Sequence, residues 1–198
     1  MLITGVVIGF CILNRGHYEK IRRKLRKADE ALPMEYHSLI APPETEPKEP
    51  TAVFVVGSNR WGGVYALDWV RREFPGHFRN FVFMSARTVD AKCYSGSDEL
   101  EQEQKKAEAT LSYFVTYCNN RGLAAKTYVG FGTDPIEELT HLAEKIRQDF
   151  PHSMFFTSKL IFEHDNWYIR QLHSEAALTM LRRLHLLDMP MVVLPMRL

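Results

Sequence analysis

The sequence predicts an α/β protein in which a five-stranded parallel sheet carries helices on both faces, preceded by an N-terminal helix that is apolar first and basic afterwards. Two observations carry this prediction. The apolar run Ala52–Val56, within Thr51–Gly63, breaks at Gly57-Ser58-Asn59 and leads into residues that can start a helix. A buried parallel strand hands over to its crossover helix in this way. Strand-length apolar runs and helical periodicities then alternate five times to the C-terminus, which implies a parallel sheet with right-handed crossovers.

Each element follows in order. Trp61 to Phe74 reads as a helix stopped by Pro75-Gly76, and Phe81 to Met84 as the second strand. Arg87 to Ser97 is a loop. Asp98 opens a long polar helix ending near Asn120-Arg121-Gly122, where Gly122 suits a left-handed cap, with Leu100, Ala107, Leu111, Phe114 and Cys118 as its buried stripe. Ala125 to Phe131 is the third strand. Gly132-Thr133-Asp134-Pro135 is a compact helix start for Ile136 to Phe150, and Met154 to Phe162 is the fourth strand. Glu163-His164-Asp165-Asn166 caps a helix running to about Leu187, and Pro190 to Leu198 makes the last strand. Pro195 has no N–H to give a ladder, so that strand belongs at an edge.

Hydrophobic residues make up 45% of the 198 and charged residues 25%, the balance of an ordinary globular protein. The net charge of +1 gives no general attraction to nucleic acid. Cys11, Cys93 and Cys118 form no CxxC pair, so neither a disulfide framework nor a cysteine zinc site is predicted. His164, His173 and Glu175 are the nearest approach to a metal-ligand set, and surface or helix-packing roles suit them better. No metal or cofactor is expected.

The segment before the sheet divides by composition. Residues 1–13 contain the uncharged run Leu2 to Leu13, about 18 Å of helix at about 1.5 Å per residue, against a hydrocarbon core of about 30 Å. That run is too short to span by itself. It fits the tail of a membrane helix that begins upstream, a shallow interfacial helix, or an apolar element packed on the domain. Arg15, Lys20, Arg22, Arg23, Lys24, Arg26 and Lys27 follow at once, the pattern of a cytoplasmic flank drawn to an anionic lipid surface, and this favours the first placement. Within residues 14–32, Tyr18, Ile21, Leu25, Ala28 and Leu32 make one apolar stripe on a cationic helix. Residues 33–50 interleave Pro42, Pro43, Pro47 and Pro50 with charged residues, as in a semi-extended linker, and leave 51–198 as the α/β domain.

Five strands in this order, a long second helix and a small polar residue in the first turn make residues 51–198 resemble the universal stress protein fold. A narrower resemblance rests on longer phrases: HYEKIRRKLRKADEAL (His17–Leu32), FPGHFRNFVFMSARTVD (Phe74–Asp90), GTDPIEEL (Gly132–Leu139), and WYIRQLHSEAALTMLRRL followed by PMVVLP. These resemble the cytosolic C-terminal region of bacterial permeases of the amino acid/polyamine/organocation superfamily, in which a stress-protein-like domain follows a bundle of membrane helices. The resemblance implies a non-enzymatic domain at the cytoplasmic face of the cell membrane, with a regulatory or structural role in transport. Its partners would be the membrane helices of a transporter and, through the last strand, a second copy of the chain. A soluble nucleotide-sensing stress protein is the alternative.

A ligand in such a sheet sits where the strand order reverses, beside the turns after strands one and four. The candidate residues there are Gly57, Ser58 and Asn59, with Thr157, Ser158 and Lys159. The nucleotide-binding stress proteins share G-x2-G-x9-G followed by Ser or Thr after strand four. Here that place reads KLIFEHDNWYIRQLH, without glycine, and Gly57-Ser58 replace the usual acid after strand one. Without those glycines the backbone cannot approach a triphosphate closely, so nucleotide binding in the family's manner is not expected. Gly130-x-Gly132 reads as turn geometry, and Ser58 has no nucleophile elbow around it. Trp61, Trp69, Trp167 and Tyr168 read as half-buried anchors, and Arg182, Arg183 and His185 as a complement to a helix end.

Overall fold

The computed structural model describes residues 2–33, 41–57, 59–88, 97–161 and 176–197. Its elements are α1 (Leu2–Glu30), β1 (Thr51–Val55), α2 (Arg60–Glu73), β2 (Asn80–Thr88) and α3 (Ser97–Asn119), then β3 (Ala124–Gly132), α4 (Pro135–Asp149), β4 (Ser153–Ile161), α5 (Ala176–Leu186) and β5 (Met191–Arg197). The five strands form one parallel sheet in the order β3-β2-β1-β4-β5. This is the α/β class predicted, with the layout of a universal-stress-protein-like sheet. Most boundaries fall within a residue or two of expectation. The strand expected at Phe81–Met84 runs on to Thr88, because Ser85 to Thr88 keep their pairing with β3.

The unbroken apolar run in β1 is explained by burial on both sides. Ala52 and Phe54 face a layer built from α2 and α3, where Leu67, Val70, Leu111, Phe114 and Cys118 close the core. Val53 faces the opposite layer, where α4 and α5 supply Leu142, Ala143, Ile146, Met180 and Leu184. Register places Phe54 beside Phe83 on β2 and Phe156 on β4, with ring centroids 5.2 and 5.7 Å apart. Truncating Phe54 to alanine at the centre of this row would cost about 3–5 kcal/mol.

The local signals hold as well. Asp134 caps α4 by accepting from the N–H groups of Ile136 and Glu137, with Pro135 in the first turn. Gly122 adopts φ +69° after α3, and Leu123 N–H returns to the Cys118 carbonyl. β5 lies at the sheet edge, as Pro195 requires, and Tyr65 donates to the Pro195 carbonyl at 2.9 Å.

The segment before the sheet is more integrated than its composition predicts. The apolar run and the basic cluster form one continuous helix, so no break separates residues 1–13 from 14–32. Among the described residues, no helix is long and apolar enough to cross a membrane. Ile12, in the apolar part, is 66% exposed. The end of the linker is stitched to the sheet: buried Asn80 donates to the Glu46 carbonyl at 2.7 Å and accepts from its N–H at 2.9 Å. The same amide donates to Thr51 Oγ1, which ties the start of β1 to the start of β2.

Candidate functional site

The strand order reverses between β1 and β4, and a cavity of about 440 Å³ opens at the carboxyl ends of these strands. Val56 and Gly57 form its floor after β1, Thr157 and Ser158 one wall from β4, and Asn59 with Gly62 the rim at the start of α2. The structure thus brings together Gly57, Asn59, Thr157 and Ser158, four of the six candidate ligand-binding residues. Ser58 lies outside the described residues. Lys159 is on β4 in register with Pro195, and its side chain also lies outside them.

The remaining walls are apolar. Ile136 and Leu139 come from α4, Met180 from α5, and Met191 and Met196 from β5. α1 adds Leu25. The lining is therefore that of a site for an apolar body with a few polar groups at one rim, unlike a glycine-rich phosphate cradle.

The backbone donors at the start of α2 already have partners. Asn59 Oδ1 accepts from Gly62 N–H at 3.1 Å and so caps the helix. Asp29 of α1 accepts from Trp61 N–H at 2.8 Å, and its other oxygen pairs with Arg60 at 3.4 Å. Asn59 Nδ2 donates to the Leu25 carbonyl at 3.2 Å. Gly62 and Gly63 serve close packing. A Cβ at Gly62 would stand 3.1 Å from Ser158 Oγ, and one at Gly63 would stand 2.5 Å from the Phe114 ring.

Sequence reasoning missed Asp29 and Asn80. Asp29 lies among the basic residues of α1, and Asn80 stands just before the apolar run Phe81–Met84. Neither has a local signal, because each acts on a segment about thirty residues away in the chain.

The basic residues behave as a solvated face. Arg15, Lys20, Arg22, Arg23, Lys24, Arg26 and Lys27 are all exposed, whereas Ile21, Leu25, Ala28 and Leu32 of the predicted stripe are half-buried. Lys20, Arg23, Lys24 and Lys27 line one open groove along α1. Arg15 and Arg23 pair with Glu19, and Arg26 pairs with Glu30.

Other sequence candidates find structural roles. Gly130 and Gly132 lie in β3, where the Glu138 side chain from α4 fills the space a side chain would need. Trp61 is half-buried and stacks on Tyr65, and Trp69 meets Phe74 edge-on. Arg183 and His185 occupy the last turn of α5. His164, Trp167, Tyr168, His173 and Glu175 lie outside the described residues. Among the described residues, no cluster of His, Cys, Asp or Glu could hold a metal. Away from the cavity, burial, reinforced by the hydrogen bond to Asp149, raises the Tyr128 phenol well above its ordinary range.

The fold and cavity define a five-stranded α/β protein of stress-protein-like layout with a mostly apolar cavity where the strand order reverses. No protein-family model matches the chain, and no curated protein matches it.

Proposed function

We propose that the chain is the cytosolic α/β domain of an amino acid permease-type transporter. In this reading it is non-enzymatic, lies at the cytoplasmic face of the membrane and has a regulatory or structural role in transport. One observation carries the reading. The apolar N-terminal run continues without a break into a basic helix whose cations are exposed, the charge arrangement that attracts anionic lipid head groups. The membrane helices of the transporter are the expected partner, and a second copy of the chain is a further one.

Sedimentation of the full chain with vesicles tests this. It should pellet with vesicles of phosphatidylglycerol and phosphatidylcholine, remain free with phosphatidylcholine alone, and be released when Lys20, Arg23, Lys24 and Lys27 are changed together to glutamine. Equal recovery with both vesicle types would defeat the lipid-facing reading.

A soluble nucleotide sensor is the second reading, favoured by the position of the cavity between β1 and β4. Its weakness is the employment of the α2 donors by Asn59 and Asp29 and the absence of glycine after β4. Calorimetric titration with ATP decides it. Micromolar binding that is lost in Lys159→Ala would promote this reading over the first.

A further inference from the structure

The start of α2 lacks the acid that its dipole calls for. No acidic residue stands in its first turn, and Arg60 opens it, where a cation is unfavourable. Asp29, thirty-one residues upstream, supplies that negative charge. Its carboxylate is mostly buried, binds the Trp61 N–H and pairs with Arg60. Arg60 in turn lies over the Tyr113 ring of α3, 4.8 Å from its centroid, and Tyr113 donates to the Pro33 carbonyl just after α1. Along this seam Leu25 forms part of the cavity wall and Leu32 packs on the core.

Of the described apolar stripe of α1, Ile21, Leu25 and Ala28 are half-buried and none is fully buried. Polar ties therefore carry much of the docking: the charge-assisted bonds of Asp29, together with the bond that Asn59 Nδ2 donates to the Leu25 carbonyl. Such bonds are short-ranged and separable from the core, unlike the packing that holds the sheet.

We propose that the seam between α1 and the start of α2 is a releasable latch on the cavity between β1 and β4. With Asp29 engaged, Leu25 walls the cavity; with Asp29 withdrawn, the cavity opens on that side and admits a small apolar molecule among Leu139, Met180 and Met191. The device is a property of this chain and stands whether or not the chain is joined to a transporter.

The test uses the full chain and two variants. Asp29→Lys sets a cation against Arg60 and the α2 N-terminus. Arg60→Asp gives α2 an acid of its own while repelling Asp29, so α1 is released and the helix it leaves stays capped. Amide exchange at residues 25–32 should rise about tenfold or more in both variants, the scale expected for losing a charge-assisted bond. In Arg60→Asp the first turn of α2 should remain protected. Fluorescence of the neutral probe N-phenyl-1-naphthylamine should rise severalfold in both, and in neither the wild type nor Glu30→Gln, whose carboxylate pairs with exposed Arg26. Release of α1 without added probe binding would overturn the proposal, and so would unchanged exchange at residues 25–32. Loss of protection throughout the sheet in Arg60→Asp would also overturn it, because α1 would then be part of the fold.

Discussion

The starts of α2 and α4 stand at the same end of the sheet and solve the same electrostatic problem differently. α4 is complete in itself: Asp134 caps it, Pro135 opens it, and Glu137 and Glu138 supply negative charge in the first turn. α2 is assembled from two segments, with Asn59 as its cap and Asp29 of α1 as its acid. A helix start encoded within five consecutive residues survives whatever its neighbours do. One completed from a distant segment records whether that segment is in place.

The glycines beside the two starts give the largest effect and sharpen the contrast. Gly63→Ala would press a methyl group against the Phe114 ring and Val56, both fixed in the core, and should destabilise by about 1–3 kcal/mol in urea unfolding. Gly130→Ala meets the Glu138 side chain from Cγ outward, a partly exposed chain that can re-orient where the Phe114 ring cannot, so its cost should be smaller than that of Gly63→Ala. Equal losses in the two would show that the α2 start is no more tightly packed than the region beside α4.

Next in size is the local cap. Asp134→Ala should cost about 1 kcal/mol of global stability, measured the same way, because two backbone N–H groups lose their acceptor. Asp29→Asn should cost less than Asp134→Ala, since an ion pair with a partly exposed arginine contributes little to global stability. If Asp29→Asn proved the more damaging, α1 would be an integral layer and the comparison would fail.

The smallest effect lies at the far end of α4, where Asp149 holds the Tyr128 hydroxyl. Burial first, and Asp149 second, raise the phenol above its ordinary value of 10.0. The unfolded chain therefore loses this proton before the folded one. Stability from this source is full below about pH 10 and declines as pH rises above it. Tyr128→Phe should flatten that decline in urea midpoints taken between about pH 9 and pH 11; an unchanged slope would assign it to other groups.

Much of this architecture was legible in the residues alone. The apolar run of β1, the Asp134-Pro135 start, the Gly122 cap and the edge position of Pro195 each have a local cause, and each appears where that cause predicts. The candidate site was legible in position but not in character. Gly57, Asn59, Thr157 and Ser158 meet at one cavity, yet Asn59 is spent on the α2 cap and the Leu25 carbonyl, and Gly62 and Gly63 on packing. The apolar walls come from α1, α4, α5 and β5, whose convergence no periodicity announces. Asp29 and Asn80 act on segments more than thirty residues away in the chain, where spacing carries no information.

Asn80 has one more consequence. It anchors Glu46 at the amino ends of the strands, while Pro33 is held by Tyr113 near the opposite end. A chain spans at most about 3.3–3.6 Å per residue, so the thirteen steps from Pro33 to Glu46 cap at about 45 Å the distance by which α1, once released, can separate from the mooring at Glu46.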